Sequence, residues 1–255
     1  MNRIGRILSL ACGALACAAS PAGAIINGTP DGVAHPEVGA LIAFTPFADG
    51  ALIECSGTLI APTVFLTAAH CDQGSPDVQV TFAEQYHAGD RGLSGTFIAD
   101  PAYDQKQGDP HDIAVVVLDH QVNTIAPAAL PAAGSLSALG KNSRFTSVGY
   151  GANAVGQSGG AKTLSYFNAR YVATDSFNTL TSTWLKISQN PSADNGGTCY
   201  GDSGGPNFIG AGASETNVIA GTTVTGDTWC RSTNVDYRLD TPSARAFLGR
   251  FVDLP

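Results

Sequence analysis

The feature that most constrains this chain is the brevity of its apolar runs, each broken by glycine, proline or a polar turn. Val38–Phe44, Thr58–Ile60, Val64–Thr67 and Ile113–Leu118 are too short for buried helices and rich in β-tolerant residues, so they read as strands. Val78–Phe82 alternates apolar and polar residues, as a strand with one buried face does. Further strands are expected at Phe145–Val148, Ala169–Val172, Thr183–Ile187 and Val218–Val224. Between the two sets, 126–140 is rich in Pro, Ala, Gly and Ser without a period and reads as a linker. Gly149–Gly160 reads as a mobile surface loop, because it lacks the spacing that a phosphate-binding loop needs. An all-β chain of 255 residues suits one large domain or two small ones packed together.

The two ends differ from this body. Arg3 and Arg6 precede an apolar run, Ile7–Ala19, and Ala22-Gly23-Ala24 follows the small-residue rule for cleavage, so residues 1–24 read as an export signal. The apolar run is too short to span a bilayer. Loss of the two arginines takes the formal charge from −8 to −10. No basic run occurs, which argues against nucleic-acid or anionic-membrane partners. At the other end, Thr241-Pro242-Ser243 has the chemistry of a helix start. Ala244, Phe247, Leu248, Phe251 and Val252 then follow helical spacing, so one C-terminal helix is expected.

Cys12 and Cys17 leave with the signal, and Cys55, Cys71, Cys199 and Cys230 remain. An even count in an exported chain points to two disulfides, for which three pairings exist. Cys55–Cys71 with Cys199–Cys230 closes the shortest loops. Zinc spacing is absent from the cysteines and histidines, and the acids form no calcium set, so neither metal nor cofactor is expected.

Three segments carry candidate chemistry: Leu66-Thr67-Ala68-Ala69-His70-Cys71, His111-Asp112-Ile113-Ala114-Val115-Val116 and Gly201-Asp202-Ser203-Gly204-Gly205-Pro206. A serine hydroxyl is a weak nucleophile, so it needs a base and a site for the oxyanion it creates. The glycines flanking Ser203 let the backbone bend and let a carbonyl approach. Taken singly, His70 suits a packed core and Asp112 a strand-end cap. Together, in this order and at separations of 42 and 91 residues, the three segments resemble the chymotrypsin/trypsin family. Ile25-Ile26-Asn27-Gly28, Cys55-Ser56-Gly57-Thr58-Leu59-Ile60 and Val148-Gly149-Tyr150-Gly151 extend the resemblance over essentially the whole chain from Ile25. An esterase of the α/β-hydrolase type is disfavoured, because there the histidine comes last.

The resemblance implies two six-stranded antiparallel β-barrels with a C-terminal α-helix. Residues 25–135 would hold the barrel carrying His70 and Asp112, and 136–255 the barrel carrying Ser203. It supports the Cys55–Cys71 and Cys199–Cys230 pairing. It implies Ser203 as nucleophile, His70 as base, Asp112 as its orienter, and the Gly201 and Ser203 amides as the oxyanion hole. Asp202 would pair with the α-amine of Ile25. A protein or peptide would be the substrate and a protein inhibitor a further partner. The chain would work as a monomer outside the cell or in a periplasm.

Departures from the family pattern bear on specificity. The pocket would be lined by Gly197, Thr198, Val224, Thr225 and Gly226, with Gly197 at its base where trypsin-like members carry an aspartate. An uncharged pocket implies medium to large apolar residues on the acyl side of the cut. Val224 stands where relatives have a serine that donates to the catalytic aspartate, and Thr225 where they have an aromatic platform. These two positions are the evidence for the alternative, a catalytically silent binding or adhesion module, whereas the intact triad favours the enzyme. Asn234 is the candidate facing Gly197 across the pocket. Asp227 and Asp236 read as solvated loop charges, and His35, His87, His111 and His120 as structural or surface residues.

Overall fold

A computed structural model describes residues 25–158 and 161–255, so the expected export signal lies outside the described residues. The chain begins with a two-residue strand, β1 (Thr29–Pro30), and then builds the first barrel from β2 (Val38–Ile42), β3 (Ile53–Ala61), β4 (Val64–Thr67), β5 (Asp77–Thr81), β6 (Leu93–Ala99) and β7 (Ala114–Leu118). These six close in the order β2-β3-β4-β7-β6-β5. A hairpin of β9 (Ala154–Ser158) and β10 (Ala161–Ser165) follows β8 (Arg144–Gly149). The second barrel is completed by β11 (Tyr171–Leu180), β12 (Trp184–Ser188), β13 (Pro206–Ile209), β14 (Ile219–Gly226) and β15 (Thr233–Arg238). Its order is β8-β11-β12-β15-β14-β13, closed by β13 on β8, with every pair antiparallel. Closure leaves neither sheet a long free edge. The expected pair of six-stranded antiparallel barrels is what forms.

Each barrel has its own core, Leu41, Leu59, Phe65, Val80 and Val116 in the first and Phe145, Leu185, Ile187 and Ala220 in the second. A third cluster joins them: Val38, Leu66 and Val115 pack with Val148, Phe208, Ile219 and Tyr237, and Ala244, Phe247 and Leu248 of the helix close it. Burying each such side chain contributes about 1.5–3 kcal/mol. The helix α1 (Pro242–Leu248) starts as the sequence suggests. Thr241 Oγ1 accepts the Ala244 amide at 3.3 Å, and Pro242 fills the first position.

Polar groups staple the barrels as well. Arg170, at the start of β11, donates to Asp31 Oδ2 (2.7 Å), to the carbonyls of Gly32 and Val38 and to the Tyr150 hydroxyl. His35 is buried between two acids, with Nδ1 2.5 Å from Asp31 Oδ1 and Nε2 2.7 Å from Glu215 Oε1. The segment ahead of β2 is thereby locked to the second barrel. His35 is a structural residue, as its sequence setting implies.

Two expectations are corrected. Gly149–Gly160 is not all loop, because its second half forms β9, paired with β10. Asp236 is not a solvated loop charge. It lies fully buried on β15, inside the second barrel. Its Oδ1 accepts from Asn234 Nδ2 (2.7 Å) and Asn207 Nδ2 (2.8 Å), and burial first, then the nearby charge of Asp175, hold its carboxyl well above the usual range.

Candidate active site

His70 sits on the tight turn Ala69–Cys71 that ends β4. Ala68 and Ala69 are fully buried there, so only small side chains fit. The Cys71–Cys55 disulfide ties this turn to β3. Asp112 precedes β7, and the chain reaches it through His111, whose φ of +55° turns the backbone inward. Asp100 steadies that turn: its Oδ2 lies 3.1 Å from His111 Nδ1 and its amide donates to the Ile113 carbonyl at 2.9 Å.

Buried Asp112 grips His70 twice, accepting the His70 amide at 3.0 Å on Oδ1 and meeting Nδ1 at 2.8 Å with Oδ2. An ionised carboxylate can only accept, so Nδ1 carries a ring proton; in the neutral imidazole the lone pair is then on Nε2. The His70 side chain is 22% exposed, whereas that of Asp112 is buried. Among the described residues, Asp112 accepts from nothing else, and Val224 supplies no donor.

Ser203 lies on the turn between the Cys199–Cys230 disulfide and β13. Gly201 (φ +91°) and Gly204 (φ +77°) take backbone conformations that L side chains rarely adopt. A Cβ on Gly204 would lie 2.6 Å from the Ser56 carbonyl oxygen and collide with Thr67 Oγ1. The turn is locked by Ser56 of β3, whose amide donates to the Ser203 carbonyl at 2.9 Å and whose Oγ donates to the Gly201 carbonyl at 3.1 Å. Nothing in the sequence marked Ser56 beyond its place in a matching segment. The Gly201 and Ser203 amides make no hydrogen bond among the described residues. Ser203 Oγ and His70 are not hydrogen-bonded there either. Contacts of this kind often tighten only when substrate is in place.

Asp202 is fully buried, with Oδ1 accepting the Gly151 amide and Oδ2 the Cys199 amide, each at 2.8 Å. Burial outweighs those bonds, and the carboxyl is pushed up to about 7. Ile25 is also fully buried. Ile26 pairs with Gly197 by two backbone bonds, of 2.9 and 3.0 Å, and packs on Ala152 and Cys199, neighbours of the groups that hold Asp202.

Thr198, Val224, Thr225 and Gly226 line a cavity of about 130 Å³ that opens beside Ser203. Tyr200, Thr223, Asp227 and the Cys199–Cys230 disulfide complete its wall. Gly197 is not on that wall. A Cβ there would fall 2.6 Å from Cβ of Gln189, so Gln189, fully buried, occupies the space behind it. Asn234 does not face Gly197 in isolation either, since its amide is tied to Asp236, Asn207 and Thr223. Asp227 reaches the cavity rim, but its carboxylate accepts the amides of Trp229, Arg231, Ser232 and Thr233, which hold it below the usual range. Cys55, His70 and Cys71 bring their ligand atoms within 4.8 Å of one another, yet both sulfurs are spent in the disulfide, so this is no metal site.

The family model for trypsin matches residues 40–247. Among solved structures, one titled human heparin binding protein superposes with a TM-score of 0.65 at 16% identity, over 89% of this chain and 96% of that one. Another, titled atomic resolution structure of HBP, gives 0.65 at 17% identity, over 91% and 98%. At such identities the likeness shows the fold alone. Comparison with curated protein sequences gives no match. With the family model spanning both barrels, this chain belongs to the trypsin family.

Proposed function

We propose that the chain is a secreted serine endopeptidase with Ser203 as its nucleophile. The observation that carries the reading is the His70–Asp112 pair, 2.8 Å apart, which engages Nδ1 and leaves Nε2 as the nitrogen available to act as a base. Ser203 Oγ attacks the scissile carbonyl while His70 Nε2 takes its proton. The imidazolium so formed is stabilised by Asp112 through Nδ1–H. The Gly201 and Ser203 amides, free of acceptors among the described residues, donate to the oxyanion. As the tetrahedral species collapses, His70 returns the proton to the leaving amine. Water then hydrolyses the acyl-enzyme by the same steps.

Specificity follows from the cavity. An engineered cavity of about 150 Å³ takes benzene, so 130 Å³ suits apolar side chains up to about that size. A cationic side chain there would lose hydration, and Asp227, engaged by its own loop, offers little in return. The Ile25 amine, once freed, would be the counter-charge of buried Asp202. Cleavage after Ala24 would then activate the enzyme during export. No described helix is long and apolar enough to cross a membrane.

The second reading is a catalytically silent binding module. It is favoured by Val224, whose side chain can give Asp112 no hydrogen bond, and by the neighbour titled human heparin binding protein. A chain of net charge −8, −10 without its signal, is poorly suited to a polyanion such as heparin. Hydrolysis of a peptide library by the mature protein, lost in Ser203→Ala, supports the enzyme. No hydrolysis by either protein supports the module.

A further inference from the structure

We propose that Glu54 selects a cationic side chain, lysine or arginine, on the leaving-group side of the bond that Ser203 attacks. The inference rests on the endopeptidase reading. Glu54 lies on β3, where Leu41 pairs with Cys55 and Ile42 with Ile53, so Glu54 is the extra residue of a β-bulge. Bulges break the alternation of a strand and re-aim the extra side chain, often beside active sites. Here the next residue, Cys55, is bonded to Cys71, which follows His70. Glu54 and His70 are close enough for their charges to interact.

The placement sets the side of the cleft. The acyl-side cavity belongs to the second barrel, from Thr198 to Cys230. Glu54 belongs to the first, as does His70, which hands its proton to the departing amine. Two residues further along β3, roughly 7 Å at strand spacing, the Ser56 amide holds the Ser203 carbonyl. A chain leaving past His70 therefore runs by Glu54.

The chemistry points to a cation. The carboxylate is half-buried, and among the described residues no hydrogen bond or ion pair engages it. Burial raises its pKa, and the charge of His70 only partly offsets this. A half-buried carboxylate without a donor is costly, and an arriving ammonium or guanidinium supplies what it lacks. Substrate, rather than the protein, would complete the pair.

The test uses three peptides with one acyl half and Lys, Gln or Glu in the first two positions after the scissile bond, the cut being located by mass spectrometry. In the mature wild-type protein, kcat/KM should favour Lys over Gln by about fivefold and disfavour Glu by a similar factor, as expected for a partly exposed ion pair. The preference should shrink as salt is raised. Glu54→Gln should bring the Lys/Gln ratio to about one, and Glu54→Lys should reverse the order. A ratio that survives Glu54→Gln, or a change that is equal for all three peptides, overturns the proposal and leaves Glu54 acting on His70 alone. Fluorophosphonate labelling separates the two failures. Labelling without discrimination overturns only the role of Glu54, whereas no labelling overturns the endopeptidase reading and this inference with it.

Discussion

His35 should make stability depend on pH in a way that one substitution removes. Its ring lies between Asp31 and Glu215, with Arg170 on the far oxygen of Asp31 and Glu37 near enough to feel its charge. Burial disfavours the imidazolium, but the hydrogen bonds and charges of Asp31 and Glu215 outweigh it, and the pKa is pushed up to about 9 from 6.5. At about 1.4 kcal/mol per unit, that shift corresponds to about 3 kcal/mol. Glu215 is 26% exposed, so solvent screening trims the figure to about 2 kcal/mol. Because the folded-state pKa is raised, the contribution is complete below pH 6.5 and is lost as pH rises through about 9. Thermal unfolding of Ser203→Ala, used to prevent autolysis, should be compared with Ser203→Ala/His35→Gln from pH 6 to 10. The gap in Tm should be about 4–8 °C at pH 6 and close to nothing at pH 10. Other titrations, the Ile25 amine included, cancel in the difference. Parallel curves over that range would refute the reasoning.

Three further outcomes follow from the geometry. Gly204→Ala places a Cβ against Thr67 and the Ser56 carbonyl at φ +77°, so it should cost at least about 2 kcal/mol in urea unfolding and abolish activity. Asp236→Asn should raise Tm at pH 7, because a carboxyl whose folded pKa is raised loses stability as pH climbs above its unfolded value; the advantage should vanish near pH 4, and a lower Tm at pH 7 would count against a strained buried acid. One extra residue ahead of Ile25 should strongly reduce activity, and in the mature enzyme activity should fall at alkaline pH as the amine loses its proton; full activity of the extended form would remove the proposed role of Asp202.

Ordered motifs made much of the candidate site legible, since the Ser203 turn needs glycines and the His70 turn needs small neighbours, whatever the rest of the barrel holds. What packs behind the site was not legible. Asp236 looked like a surface charge because acids are rarely buried, and Thr233–Arg238 is too polar to announce a strand. Leu93–Ala99 and Pro206–Ile209 were missed for a similar reason, as glycine, proline and polar residues blur their alternation. The Arg170–Asp31 bond spans 139 residues, and local pattern carries no trace of it. Glu54 depends on a bulge, which is a property of register between two strands and not of either sequence alone. Gln189 fills the space behind Gly197 only because β12 ends where it does.

The central claim, that Ser203 is a nucleophile activated by His70 and Asp112, is tested most directly by intact-mass measurement of the mature protein after treatment with a fluorophosphonate. The account predicts one adduct per chain, mapped to Ser203, absent in Ser203→Ala and slowed by several orders of magnitude in His70→Ala. An unchanged mass in the folded wild-type protein, or an adduct at another residue, would contradict it.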